Sequence, residues 1–211
     1  MSNRLGILIS GRGSNLQSIA TAVQEGRLDA TIGVVISNRR EAAGLRLARA
    51  AGIEAQWIDP REYVDRSAYD LAIAGALRAH QIDLVCLAGF MRLVGSPLLG
   101  AFPDRVLNIH PSLLPSFPGL DAQRQAFSHG VRVSGATVHL VTPELDNGPI
   151  ILQAAVPVLD TDTVETLSAR ILIEEHRIYP EAIRLVLNGG WTIDGRRFLR
   201  PLTAAAAEKA R

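Results

Sequence analysis

Over the first 110 residues the apolar positions repeat one pattern. A short run of branched aliphatics is followed by a turn, and then by apolar residues spaced three or four apart. "LGILIS" (residues 5–10) reads as a strand buried on both faces. After "GRGSN", Leu16, Ile19, Ala20 and Val23 keep helical spacing, and Gly26 is placed to stop that helix. "ATIGVVISN" predicts a second strand and "EAAGLRLARAAG" a second helix closed by Gly52. "EAQWID" is a short third strand, "SAYDLAIAGALRAHQ" a third helix, "IDLVCLAGF" a fourth strand and "DRVLNIH" a fifth.

Doubly buried strands alternating with helices form parallel β-α-β units with right-handed crossovers. The second half changes period. "VSGATVHLVTPELDNGPIILQAAVPVL" alternates around the turn "PELDNG", which predicts an antiparallel pair added to the sheet. "TVETLSARILIEEHRIYPEAIRLVLNG" is a long helix with Pro180 as a point of bending. The expected fold class is therefore α/β: a single-domain, mostly parallel, doubly wound (Rossmann-like) sheet with an antiparallel C-terminal addition. The domain is expected over residues 1–190, with 191–211 as a partly frayed C-terminal extension ending in "TAAAAEKAR". Ligands on such sheets bind beyond the carboxyl ends of the strands. That directs attention to the loops after Ser10, Leu87 and Leu107.

Composition narrows the classes. A 211-residue chain with 47% hydrophobic and 20% charged residues is that of a folded protein, not a disordered one. A net charge of +1 gives no field toward nucleic acid or a membrane surface. No apolar run approaches a bilayer span and no signal-peptide pattern opens the chain, so a cytoplasmic protein is expected. The single cysteine, Cys86, lies in an apolar run and reads as core. His80, His110, His129, His139 and His176 fall into no metal-ligand spacing, so no metal site is expected. No G-x-S-x-G elbow supports a serine triad.

Three stretches carry candidate chemistry. In "ISGRGSNLQSI", Gly11 and Gly13 permit close backbone approach, and Ser14 and Asn15 are suitable helix N-caps ahead of free amides. The dinucleotide pattern fails at its third glycine, which is Leu16, and "VVISNRR" lacks the acidic ribose ligand. Arg39 and Arg40 leave a phosphorylated dinucleotide open. A tight turn that binds nothing and a cradle for a phosphate-bearing small substrate both fit this loop.

In "LNIHPSLLPSFPG", Asn108 and His110 stand at i and i+2 on a strand, so both leave by one face at its carboxyl end. An amide and an imidazole converging there suit an oxygen that turns negative during acyl transfer. Pro111, Pro115 and Pro118 stiffen the loop behind them. In "VTPELDNGPIILQ", Glu144 and Asp146 occupy a turn. An aspartate near His110 raises the imidazole's pKa, while a solvated surface hairpin explains the same residues.

Together "ISGRGSNLQ", "LAGFMRLV", "LNIHPSLLPSFPGLDAQRQA" and "GATVHLVTPELDNGPIILQ" resemble the phosphoribosylglycinamide formyltransferase family of folate-dependent enzymes, over residues 5–187. The resemblance implies transfer of a formyl group from 10-formyltetrahydrofolate, as co-substrate, to the amine of phosphoribosylglycinamide in purine biosynthesis. It implies Asn108, His110 and Asp146 as the catalytic trio, the first two stabilising a tetrahedral oxyanion and Asp146 tuning His110. Gly13, Ser14, Asn15 and Glu175 would bind the phosphoribosyl substrate. Arg66, Met91, Arg92, Leu93, Val94, Thr142, Pro143, Glu144, Leu145 and Asp146 would line the folate site together with Asn108. The resemblance also implies a cis Leu114–Pro115 peptide.

The chain departs from some relatives at Asp121, Ala122 and Gln123, where they carry histidines. The implied partners are small molecules, with no nucleic acid or membrane, in a monomer or homodimer. Two other readings are a formyl-folate hydrolase on the same scaffold and a non-catalytic nucleotide-binding module. Hydrolases of this scaffold usually carry an extra amino-terminal domain and initiator-tRNA formyltransferases an extra carboxyl-terminal one, and the sequence is expected to hold neither.

Overall fold

The computed structural model describes residues 2–200. Nine strands form one sheet in the order β3-β2-β1-β4-β5-β6-β7-β9-β8. Strands β1 (Asn3–Ile9), β2 (Ala30–Ser37), β3 (Ala55–Trp57), β4 (Leu84–Leu87) and β5 (Val106–His110) pair in parallel, in the doubly wound order 3-2-1-4-5. Strands β6 (Val133–Leu140) and β7 (Ile150–Pro157) continue the sheet antiparallel to β5 and to each other. All seven strands read from the sequence are present.

Alternation along the strands divides the core into two layers. Leu5, Ile7 and Ile9 of β1 face one side, packed by α1 (Ser14–Gln24), α2 (Ala43–Ala50) and α6 (Val164–Leu187). Leu8 faces the other, under α3 (Arg66–Ala79) and α4 (Ser96–Ala101). Tyr69, Ile73 and Leu77 recur every fourth residue as the buried stripe of α3. That helix lies so close to the sheet that a Cβ on Gly6 would sit 2.4 Å from Leu77 Cδ2. Asp65 caps α3 through the Ala68 N–H at 2.8 Å. Thr163 and Thr166 form a reciprocal capping box at the start of α6. Pro180 lies within α6, which runs uninterrupted through it.

Besides a single 3-10 turn over Pro60–Glu62, four elements among the described residues lie outside the sequence expectations. They are α4, α5 (Ala122–Ser128), β8 (Thr192–Asp194) and β9 (Arg197–Leu199). The expected extension over 191–211 begins with this hairpin, in which β8 and β9 pair with each other and β9 joins the β7 edge. The "TAAAAEKAR" segment lies outside the described residues. Among the described residues no helix is long and apolar enough to cross a membrane.

The topology switches direction between β1 and β4, and the crevice opens there at the carboxyl ends of the strands. Ser10 ties the two sides together. Its N–H donates to the Gly89 carbonyl (3.0 Å), and its hydroxyl accepts the Met91 N–H (2.8 Å) while donating to Asn38 Oδ1 (2.6 Å). From α6, the buried Tyr179 hydroxyl spans the Leu87 and Leu107 carbonyls at 3.0 and 3.3 Å, joining the ends of β4 and β5.

Candidate active site

The glycine loop enters α1 through Gly13 in the left-handed region (φ 83°), with no side chain capping the helix. This corrects the expectation that Ser14 or Asn15 caps it: both are already inside the first turn. The first intrahelical bond runs from Gln17 N–H to the Gly13 carbonyl (2.9 Å), leaving the amides before Gln17 without helical partners. Gly13 is required twice over. Its φ suits glycine, and a Cβ there would lie 2.7 Å from Gly44 Cα.

Asn15 turns inward, and its Nδ2 donates to Glu175 Oε2 at 2.7 Å. Glu175 occupies the buried stripe of α6 with Leu167, Ile171 and Ile178. Burial raises its pKa against the opposing effect of the Asn15 amide. The Asn15 Oδ1 atom is buried without a partner.

Asn108 and His110 project from one side of β5, opposite the core residues Leu107 and Ile109. Asp146 reaches them from the 141–149 turn, in the left-handed region at φ 48°. Its Oδ2 accepts the Gly119 N–H at 2.7 Å and lies 3.4 Å from His110 Nδ1. Asn108 Nδ2 is 3.5 Å from Asp146 Oδ1. The three side chains picked from two separate stretches thus converge.

The contacts of His110 fix its tautomer and its place in the site. Its Nε2 faces the Phe117 carbonyl at 2.8 Å, and a carbonyl can only accept, so this nitrogen carries the proton in the neutral ring. Nδ1 then points its lone pair, or a second proton, at Asp146. The loop after β5 makes this possible by folding back, with Leu114–Pro115 cis and Phe117 at φ 55°. The Ser112 hydroxyl braces that loop through the Ser116 carbonyl at 2.6 Å. Both ring nitrogens are engaged and the residue is 4% exposed. His110 therefore stands behind Asp146 and does not line the cleft.

Its pKa also differs from expectation. Burial lowers it, and this outweighs the upward pull of the Phe117 carbonyl and of Asp146, so the net shift is downward from 6.5. For Asp146, burial raises the pKa, but His139, the Gly119 amide and His110 outweigh it, and the carboxyl stays below the usual range.

The cleft floor contains a residue the sequence reading did not select. His139 on β6 pairs across the sheet with Asn108, as Thr137 does with His110. Its Nδ1 donates to the Leu140 carbonyl (2.8 Å). In the neutral ring Nε2 accepts from Asn108 Nδ2 (3.2 Å), and in the protonated ring it turns its proton toward Asp146 Oδ1, 3.7 Å away. His139 thereby orients the amide. The signal was present in "ATVHL", where Thr137 and His139 are polar at i and i+2 on a buried strand.

Leu87, Phe90 and residues 92–94 form one wall of the cleft and residues 141–146 the other, over Asn108 and His139. Arg92, Leu93, Val94, Thr142, Pro143, Glu144, Leu145, Asn108 and Asp146 thus share one cleft lining. Met91 and Arg66 are not in the lining. The Met91 side chain is exposed, and Arg66 lies exposed at the start of α3. Asp121, Ala122 and Gln123 form the entry to α5, outside the lining. Among the described residues no three His, Cys, Asp or Glu side chains cluster to hold a metal ion.

A doubly wound sheet that brings an amide and an imidazole at the end of β5 together with a carboxylate from the 141–149 turn has the groups that acyl transfer asks for. The formyl transferase family matches residues 3–183, and the chain belongs to that family. The chain is 41% identical over 184 residues to phosphoribosylglycinamide formyltransferase of Bacillus subtilis (strain 168), covering 87% of this chain and 94% of that protein. It is 48% identical over 186 residues to the trifunctional purine biosynthetic protein adenosine-3 of Bos taurus. That match takes in 88% of this chain but spans only 18% of the trifunctional protein's length. The crystal structure of glycinamide ribonucleotide transformylase 1 from Symbiobacterium toebii superimposes with a TM-score of 0.92 and 61% identity, covering 93% of each chain.

Proposed function

We propose that this chain transfers the formyl group of 10-formyltetrahydrofolate to the amine of 5'-phosphoribosylglycinamide, giving the N-formyl product and tetrahydrofolate in purine biosynthesis. The observation that carries the reading is the Asn108–Asp146 floor, backed by His110 and opening into a cleft with apolar walls. Phe90, Val94 and Val141 offer flat apolar surface to a ring, and Leu93 and Leu145 at the walls are each 54% exposed, as a bound ring would leave covered. The similarity to proteins named for this activity supports the same reading.

The co-substrate supplies a formyl group carried on nitrogen. As the amine attacks the formyl carbon, the carbonyl oxygen turns negative, and Asn108 Nδ2 is placed to donate to it. His139 keeps that donor aimed by accepting its other hydrogen. The amine must lose one proton while the leaving nitrogen gains one. Asp146, ionised and lining the cleft, accepts the first, with His110 Nδ1 behind it as a second seat for that proton. The same proton passes to the leaving nitrogen as its bond to the formyl carbon breaks. Gly13 and Ser14, with unpaired amides at the α1 terminus, suit the phosphate. The unpartnered Asn15 Oδ1 and the Glu175 carboxyl suit donors on the remainder of that substrate.

The test is a spectroscopic assay of 10-formyltetrahydrofolate with and without phosphoribosylglycinamide. Loss of the formyl group only when the amine is present supports the transferase. Loss without it makes the chain a hydrolase, and no loss in either case returns the binding-module reading.

A further inference from the structure

The 91–95 loop, which supplies one wall of the cleft, is held at both ends by side chains from other elements. At its start Met91 N–H is held by Ser10 Oγ, and at its end Gly95 N–H donates to Asp70 Oδ2 at 2.7 Å. Asp70 belongs to α3 and lies in the stripe with Tyr69, Ile73 and Leu77, only 2% exposed. Among the described residues the Gly95 amide is its one hydrogen-bond donor. Burying a carboxylate with a single neutral donor is costly, and an apolar residue would pack this stripe without that cost.

The surroundings show what the charge is for. Burial raises the Asp70 pKa, and the Gly95 amide, then Arg66 one turn earlier on α3 and Arg92 in the loop, oppose it by favouring the charged form. The Arg92 guanidinium lies 5.2 Å over the ring of Tyr69, the residue beside Asp70. The loop is fitted closely around the carboxylate: a Cβ on Gly95 would stand 2.9 Å from Asp70 Oδ2 and 3.6 Å from Arg66 Nε. The buried carboxylate therefore fixes the far end of the loop, and the guanidinium of Arg92, itself in the cleft wall, packs back onto α3 over Tyr69.

We propose that Asp70 is a positioning residue for the formyl donor: through Gly95 N–H and Arg92 it sets the 91–95 wall, and so donor affinity, without touching either substrate. The inference rests on the proposed function and adds a residue to it.

The experiment compares Asp70→Asn, which keeps shape and an acceptor but loses charge, with Asp70→Ala, which loses both. The expected result is a KM for 10-formyltetrahydrofolate raised about tenfold in D70N and further in D70A. Meanwhile kcat and the KM for phosphoribosylglycinamide stay within about threefold of the parent. A purely structural residue lowers the active fraction, and hence kcat, without this split. An unchanged donor KM in folded D70A, or a fall in kcat alone, overturns the proposal. Should D70A fail to fold, D70N decides, and failure of both overturns it as well. Equilibrium titration with 10-formyltetrahydrofolate separates the two readings. If the parent binds the donor but transfers nothing, the proposed function falls while Asp70 is still judged on Kd.

Discussion

Replacing Asn108 by Ala removes the one side-chain amide at the floor of the cleft. One Nδ2 hydrogen is held by His139 Nε2 at 3.2 Å; the other makes only a weak 3.5 Å contact with Asp146 Oδ1 and can turn toward a substrate oxygen. Loss of one such donor costs roughly 100–1,000-fold in kcat, or about 2.7–4 kcal/mol of transition-state stabilisation. The stability cost is separate. The buried His139 ring loses its donor, worth about 1–3 kcal/mol. Set against a native stability of about 5–15 kcal/mol, that leaves the variant folded. Initial-rate kinetics with both substrates, beside a thermal melt, read the two effects independently. The expected pattern is a large fall in kcat with KM values little changed, because the interaction is made chiefly in the transition state. A folded N108A variant within about tenfold of the parent kcat refutes the oxyanion role.

Two further perturbations probe the site. In Asp146→Asn the negative charge 3.4 Å from His110 Nδ1 is gone, so the imidazole pKa, already held below 6.5 by burial, moves further down. The unfolded state still takes up its proton near 6.5 while the folded variant takes it up later, so as pH falls from 6.5 toward the carboxylate range the variant loses more stability than the parent. Below that range the parent alone also loses the contribution of its low-pKa Asp146. Ring-nitrogen NMR titration reads the midpoint, and an unchanged or higher value contradicts the pairing. Gly13→Ala places a Cβ 2.7 Å from Gly44 Cα at a φ of 83°. The left-handed backbone alone costs about 1–2 kcal/mol, before the clash is counted. A melting temperature lowered by several degrees and a raised KM for phosphoribosylglycinamide are expected, and a variant with neither removes the loop from the phosphate site.

The strands and the helices α1, α2, α3 and α6 were legible because their periods are strong and their ends carry glycine or cap signals. The elements missed, α4, α5, β8 and β9, are three to seven residues long, too short for periodicity to register. Asn108 and His110 could be paired from spacing alone, since neighbours two apart on a strand share a face. His139 could not, because its place beside Asn108 depends on the β5–β6 register, which no local pattern encodes. The position of His110 behind Asp146 depends on a loop folding back until the Phe117 carbonyl meets Nε2, a tertiary event. Glu175 is implied by the family resemblance, although the helical stripe through Leu167, Ile171 and Ile178 also marks it as a charge on a buried face. The N-cap expectation at Ser14 and Asn15 failed because Gly13 adopts the left-handed turn and the helix starts one residue sooner.

The most direct test of the account follows the formyl carbon itself. The protein is given 10-formyltetrahydrofolate labelled with carbon-13 at the formyl group, together with phosphoribosylglycinamide, and the products are read by NMR. The expected result is the label in an amide on the glycinamide nitrogen, in step with tetrahydrofolate formed. Label recovered as free formate, or left on the folate, contradicts it.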